Sequence, residues 1–310
     1  MALPTAPGFP QLSGNYIPEI WSAKILIKFY EATVLAEIAN TDYEGEISGQ
    51  GDKVNIRTTP TITVRDYRKG QKLVDETPES APVELLIDRG KYWSFVVDDV
   101  DEHQADIPFP EDWQRDASDQ NKIVIDTEVL GEIPADADAA NRGTTAGKIS
   151  GDIDLGTAGA PLFLTKSNIL DVLIDIGTVF DEQNVPESDR GAVMPPWATA
   201  LIKKSDLKDA SLAGDGTSIV RNGRVGMIDR LMIYNSNLLA TAIDAGAPGT
   251  PRTWDIIGIQ KSALTFASDL VRNERIRSES TFGWKYRGLQ VYGFEVIKPE
   301  ALVHVYAAKG

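Results

Sequence analysis

The 310-residue chain has no cysteine and only two histidines. The first absence excludes disulfides, thiolate zinc sites and a cysteine nucleophile, and it fits a reducing compartment. The histidines, His103 and His304, stand far apart, and neither belongs to an HExxH array, the spacing that puts two metal ligands on one helix face. There is no GxSxG elbow to present a nucleophilic serine. No apolar run approaches the roughly 18 residues that a membrane-spanning helix needs. The opening MALPTAPGFPQLSGNY shows no basic region followed by an apolar core, so no secretory signal is expected. Positive charge is scarce too: 31 Lys and Arg face 46 Asp and Glu, a net charge of −15. Nucleic acid is gripped through Lys and Arg that displace counterions from phosphates. This chain is therefore expected to meet DNA as a wall and not as a clamp.

Three stretches resemble chemical motifs and fall short. GTTAGKI (143–149) has three residues between its glycines and Ile149 after Lys148; a phosphate loop needs four, and then Ser or Thr. DIDLGTAGAPLF (152–163) spaces Asp152 and Asp154 like a calcium loop, but its twelfth position is Phe163 and not a bidentate Glu. Asp98, Asp99, Asp101 and Glu102 read as a solvated helix start, since nothing apolar traps them and pushes their acidities apart. No catalytic, cofactor-binding or metal-binding residue is assigned, and neither enzyme activity nor a cofactor is expected.

What the chain does contain is ordinary globular material, 42% apolar and 25% charged, enough for one large domain or two modest ones. The first 16 residues carry Pro4, Pro7 and Pro10 and read as an extended arm or a disordered tail. After Pro18, the stretch Glu19 to Ala39 reads as a helix. Lys24, Lys28 and Glu31 make one narrow polar stripe, while Trp21, Ile25, Phe29, Val34 and Ile38 spread over the rest of its girth. A helix apolar over so much of its circumference must be covered on several sides, and another subunit is a plausible source of that cover.

Residues 53–64, KVNIRTTPTITV, alternate with period two and read as a strand, demoted to an edge by Pro60. The turn-like DYRKGQK (66–72) follows, then VELLID (83–88). Together they make a long hairpin over roughly 46–82 with few large apolar residues near its tip. A lone hairpin is marginal in water and needs something to lie on. Its charge is lopsided. Lys53, Arg57, Arg65, Arg68, Lys69 and Lys72 face one acid, Asp66. Downstream, Asp98, Asp99, Asp101, Glu102, Asp106, Glu111, Asp112, Asp116 and Asp119 face one base, Arg115. The pair reads either as complementary docking surfaces or as two solvated faces.

After Pro108 and Pro110 a second long helix is expected over about 110–133, with Trp113, Ala117, Ile123, Thr127 and Leu130 recurring at helical spacing and acids at its start, where the helix dipole favours them. Residues 134–161 read as loop. A third helix is expected from Ser167 to about Gln183, capped by Ser167 or Asn168. Strands are expected over Ala192–Ile202, Gly223–Tyr234, Leu289–Ile297 and Leu302–Tyr306, and a loop over 240–252. The class is mixed α+β, with no internal repeat at a fixed period.

The order of these features resembles a known family. IPEIWSAKILIKFYEATVLAEIAN, TDYEGEISGQGDKVNIRT, YWSFVVDDVDEHQAD, GRVGMIDRLMIYNSNLL and ALTFASDLVRNERIRSESTFGWKYRGLQVYGFEVIKPEAL follow one another as in the major capsid proteins of tailed bacteriophages, the Hong Kong 97-like fold. The resemblance spans nearly the whole chain and rests on order and spacing, since no one motif is diagnostic. It implies an N-terminal arm and helix (1–45), an extended hairpin loop (46–82), a peripheral domain (83–160 plus 273–300) with a spine helix at about 110–133, and an axial domain (161–272 plus 301–310). Copies would form hexamers and pentamers that tile an icosahedral virion shell around double-stranded DNA, assembled in the bacterial cytoplasm. No sequence-specific DNA contact and no membrane are implied. Since the chain starts at the arm, scaffolding would come from a separate protein or from a segment cleaved away, and the other partners would be a portal and possible decoration proteins. An encapsulin-type shell that packages an enzyme cargo is the alternative. The intersubunit contact candidates are then Trp21, Ile25 and Phe29 on the helix, Arg65, Arg68, Lys69 and Lys72 on the loop, and Asp98, Asp99, Asp101, Glu102 and Asp112 on the acidic segment. Residues 281–302 would pair into the peripheral sheet, with Gly283, Gly288 and Gly293 permitting bends or close approach.

Overall fold

A computed structural model of the chain describes residues 30–31, 33–43, 53–60, 62–80, 82–105, 109–205 and 226–310. Three sheets organise them. The smallest pairs β1 (Lys53–Arg57) with β2 (Pro82–Leu86), antiparallel, with Lys53 opposite Leu86 and Arg57 opposite Pro82. The ladder stops before Pro60, which has no N–H to donate. Beyond it, 62–80 leaves and returns without regular structure. Its two limbs are tied by Arg65, which donates to the Val74 carbonyl at 3.1 Å and pairs with Glu76, and by the Thr63 N–H, which donates to Glu76 Oε2 at 3.1 Å. The reversal sits at Arg68–Gln71, where the Gln71 N–H donates to the Arg68 carbonyl at 2.9 Å and Gly70 takes a φ of +84°.

The second sheet is antiparallel, in the order β10 (Leu264–Arg277), β11 (Gly283–Val296), β3 (Arg89–Asp98). The closing stretch thus supplies its central strand. Close approach explains the three glycines along it. A Cβ on Gly283 or Gly293 would collide with the carbonyl oxygen of Val97 or of Leu86, and one on Gly288 with the Trp93 ring. The Gly293 contact is the point where the base of the loop, on β2, rests against this sheet.

After the short helices α1 (Leu35–Ile38) and α2 (Asp99–Gln104), the long helix α3 (Phe109–Glu132) crosses one face of the second sheet. Phe95 meets Trp113 edge-on at 5.7 Å, and Asn121 donates to Gln290 at 2.8 Å. Glu128 receives Arg89, Lys91 and the Tyr292 hydroxyl. The buried face of α3 agrees with the expected one at Leu130, which is buried, and at Ile123, which packs against the core, and differs elsewhere. Ile125, Asp126, Val129 and Leu130 point inward, while Thr127 is exposed and Trp113 half-exposed. The apolar pattern is confined to the C-terminal half, where the helix passes between the sheets and continues into the 3-10 turn Ile133–Asp136.

The third sheet is mixed, in the order β4 (Leu162–Leu164), β12 (Leu302–Lys309), β9 (Arg252–Gln260), β5 (Arg190–Met194), β7 (Leu231–Asn235), β6 (Met227–Ile228), with β8 (Thr241–Ile243) also on β9. Helix α4 (Ile169–Glu182) lies on it, and Gly258 leaves room for Ile176 and Phe180. Asn168 occupies the N-cap position of α4, yet its side chain accepts from Thr165 at 2.7 Å and caps nothing in the helix. Two expected elements change type. The strand expected over Ala192–Ile202 ends at Met194, because Pro196 opens α5 (Pro196–Lys204) as a first-turn proline. The loop expected over 240–252 contains β8 before its Gly–Pro turn. β9 and β10 were not legible from period. β9 is buried without interruption from Ile256 to Gln260 and so does not alternate there, and β10 carries charges and not alternating apolar residues over its second half.

Candidate functional site

The candidate contact residues Trp21, Ile25 and Phe29 lie outside the described residues, as does most of the helix expected over Glu19 to Ala39. Of its described residues, Tyr30, Glu31, Thr33 and Val34 are not helical, so the continuous helix expected there is reduced to the single turn Leu35–Ile38, and this end docks firmly. Val34, Ile38 and Ala39 are buried in the main core, which also holds Ile125 and Val129 of α3. The Tyr30 hydroxyl donates to Asp116 at 2.9 Å. Helix ends at Ala39, and Asn40 bridges in parallel to Thr265 of β10.

The four basic loop candidates separate. Arg65 is engaged inside the loop, with Glu76. Arg68, Lys69 and Lys72 stand exposed around the reversal and form no ion pair among the described residues. The loop also displays apolar side chains that sequence reasoning did not stress: Ile62, Val64, Tyr67, Leu73 and Val74 are all at least 65% exposed. A contiguous exposed apolar surface of this kind marks an interaction site.

The acidic candidates separate as well. Asp98 caps α2, accepting from the Val100 N–H at 2.9 Å. Asp99 takes both arms of Arg277, and Glu102 meets Arg275 at 3.5 Å. Asp112 meets Arg115 at 3.5 Å. Asp101 is exposed, with no ion pair among the described residues. Arg275 also lies over the rings of Trp284 and Tyr286, at 4.3 and 5.3 Å, a geometry that holds a guanidinium in place. Part of the acidic surface is thus already answered within the chain by β10. The signal was present in NERIRS (273–278), but only the β10–β11 hairpin brings it to the acids.

The motif-like stretches have structural roles. The turn that contains GTTAGKI directs the Ile149 and Ser150 N–H groups at the Glu182 carboxylate, at 2.8 and 3.2 Å. The Ile149 bond in particular holds that carboxyl below its ordinary acidity range. The nest of amides is filled by the chain's own anion. Asp154 closes a local turn onto the Gly156 N–H at 2.9 Å. His304 and Asp255 hydrogen-bond at 2.9 Å between adjacent strands of the third sheet.

No protein-family model and no curated protein matches the chain. Solved structures do, over nearly its full length. A chain of Mycobacterium phage Che8 is 26% identical, with a TM-score of 0.75, covering 94% of this chain and 97% of that one. A chain from the capsid structure of the Cyanophage P-SCSP1u is 18% identical, with a TM-score of 0.71 and coverage of 96% and 94%. One from the mature capsid of bacteriophage PhiM1 is 15% identical, with a TM-score of 0.70 and coverage of 94% and 92%. At the last two identities the likeness is one of fold. It covers more than nine-tenths of both chains in each of the three matches. The chain has the Hong Kong 97-like fold of these phage capsid chains.

Proposed function

We propose that the chain is the major capsid protein of a tailed bacteriophage and closes, as hexamers and pentamers, into an icosahedral shell around double-stranded DNA. The carrying observation is that one fold matches 94–96% of this chain and 94–97% of the chains it is compared with. The second sheet with α3 is assigned to the peripheral domain and the third sheet with α4 and α5 to the axial domain. The strand β10 runs through the expected boundary at 272/273. The loop between β1 and β2 lies on a neighbouring copy, which buries its exposed apolar residues and receives Arg68, Lys69 and Lys72. Asp101 and the carboxylates of Asp98 and Asp112, weakly engaged within the chain, are the acceptors. A net charge of −15 suits an enclosing wall, because a genome that is packed and later released must not be gripped. A separate scaffolding protein, a portal and decoration proteins are the further partners this reading carries.

Expression of the chain alone, followed by negative-stain electron microscopy, tests the reading. Closed shells, tubes or capsomer rings are expected, with co-expressed scaffold restoring them if the chain alone stays dispersed. A monodisperse small oligomer under both conditions overturns it. Shells loaded with a protein cargo and excluding DNA would assign the chain to the encapsulin type.

A further inference from the structure

The long helix carries one carboxylate where an apolar side chain belongs. Asp126 is 1% exposed and neighbours Ile125, itself buried in the main core. Its Oδ2 accepts from the Val34 N–H at 2.8 Å, and the Leu35 N–H is directed at the same carboxylate. These are the first amides of α1, whose N-cap residue, Val34, has no side chain able to cap them. Asp126 therefore caps that turn from 92 residues away. Its other oxygen, Oδ1, is buried without a hydrogen-bond partner among the described residues. An ionised carboxylate with one bare oxygen is costly to bury, and a protonated one much less so.

The charged groups around it are occupied elsewhere. Lys122, one turn earlier on α3, bonds Asp119 at 3.0 Å. Glu128 is turned to Arg89, Lys91 and Tyr292. On the segment itself Glu37 is exposed. From the second sheet come Phe266 and Gln290, both uncharged. No cation bonds Asp126 among the described residues. The far end of the segment is held independently: the Asn40 N–H donates to the Leu264 carbonyl at 2.9 Å, and the Phe266 N–H donates to the Asn40 carbonyl at 2.9 Å. Beside α1 lies a largely apolar cavity of about 300 Å³, lined by Leu35, Ala39, Ile125 and Phe266, which leaves room for movement.

We propose that Asp126 is a proton-operated latch: protonated, it keeps residues 33–39 seated on the long helix, and ionised, it lets the Val34 end lift while the Asn40 end holds. Burial pushes the Asp126 carboxyl up to about 6 from an ordinary 3.8, with the bonds from Val34 and Leu35 pulling only part of the way back. The seated form thus binds the proton more tightly than the lifted form. Seating is strongest below the ordinary aspartate value and weakens as the pH rises through 6. Between pH 5 and pH 8 this linkage changes the seated-to-lifted ratio about tenfold.

Hydrogen–deuterium exchange of the full chain, read by mass spectrometry on peptides covering 30–40 and corrected for intrinsic rates, tests the latch. Protection should be about tenfold greater at pH 5 than at pH 8, with no matching change in peptides from β9. Asp126→Asn should be equally protected at both values. Equal protection of the natural chain at the two pH values, or an Asp126→Asn chain that keeps the tenfold change, overturns the proposal. If Asp126→Asn does not fold, the natural chain's two measurements decide it alone.

Discussion

Within this chain, the third sheet and the loop between β1 and β2 treat similar residues in opposite ways. Ile256, Ile257, Val303 and Val305 are at most 1% exposed on neighbouring strands β9 and β12 of the sheet on which α4 lies. Val64, Leu73 and Val74 are 95%, 74% and 69% exposed on the loop. Fully burying an aliphatic side chain is worth about 1.5–3 kcal/mol. The first region collects that stabilisation when the chain folds. The second defers it until another surface arrives. On the proposed reading, a chain built this way separates folding from assembly: the sheet makes the subunit, and the loop finds its cover among copies.

The sharpest way to break the contrast is at its buried pole. Phe180→Ala empties the space beneath Gly258 and should destabilise the isolated subunit by about 3–5 kcal/mol in denaturant unfolding. A loss below about 1 kcal/mol would mean that the third sheet is not the seat of subunit stability. The junction between the regions comes next. Gly293→Ala sets a methyl against the Leu86 carbonyl and should cost about 1–3 kcal/mol, with enhanced proteolysis of the loop base as its signature; an unchanged proteolysis pattern would place the contact elsewhere.

Smallest in the subunit, and largest in the shell, are changes at the loop itself. Leu73→Ser with Val74→Ser should leave subunit unfolding within about 0.5 kcal/mol while abolishing or slowing shell formation by light scattering. Subunit destabilisation by this pair would show that the loop packs on its own chain. Arg68→Glu with Lys69→Glu should also spare the subunit and weaken assembly, and that defect should shrink as salt screens it. Full assembly of the reversed variant at low salt would remove charge complementarity from the account.

Legibility followed the range of the interactions. The hairpin, the long helix, α4 and the two closing strands are written in local period and in prolines, so they were readable. The element at 196–204 was misread because an apolar run after a strand looks like more strand until the helix-opening role of Pro196 is weighed. β9 lacks alternation because both its faces are covered, which is a property of its neighbours and not of its own residues. The contact candidates were only half readable. Exposed Arg68, Lys69 and Lys72 stand as a run of like charge implies, whereas the acids they were matched with are partly answered by Arg275 and Arg277, more than 170 residues away.

The sequence by itself determined the mixed α+β fold class and most of the places where the chain must turn or extend, because these depend on residues within a few positions of one another. Only the tertiary structure decided which acids are already paired, why Gly283, Gly288 and Gly293 must have no side chain, and that Asp126 is buried with one bare oxygen. Those outcomes depend on what another segment brings within a few ångströms, and burial and desolvation act only once it is there.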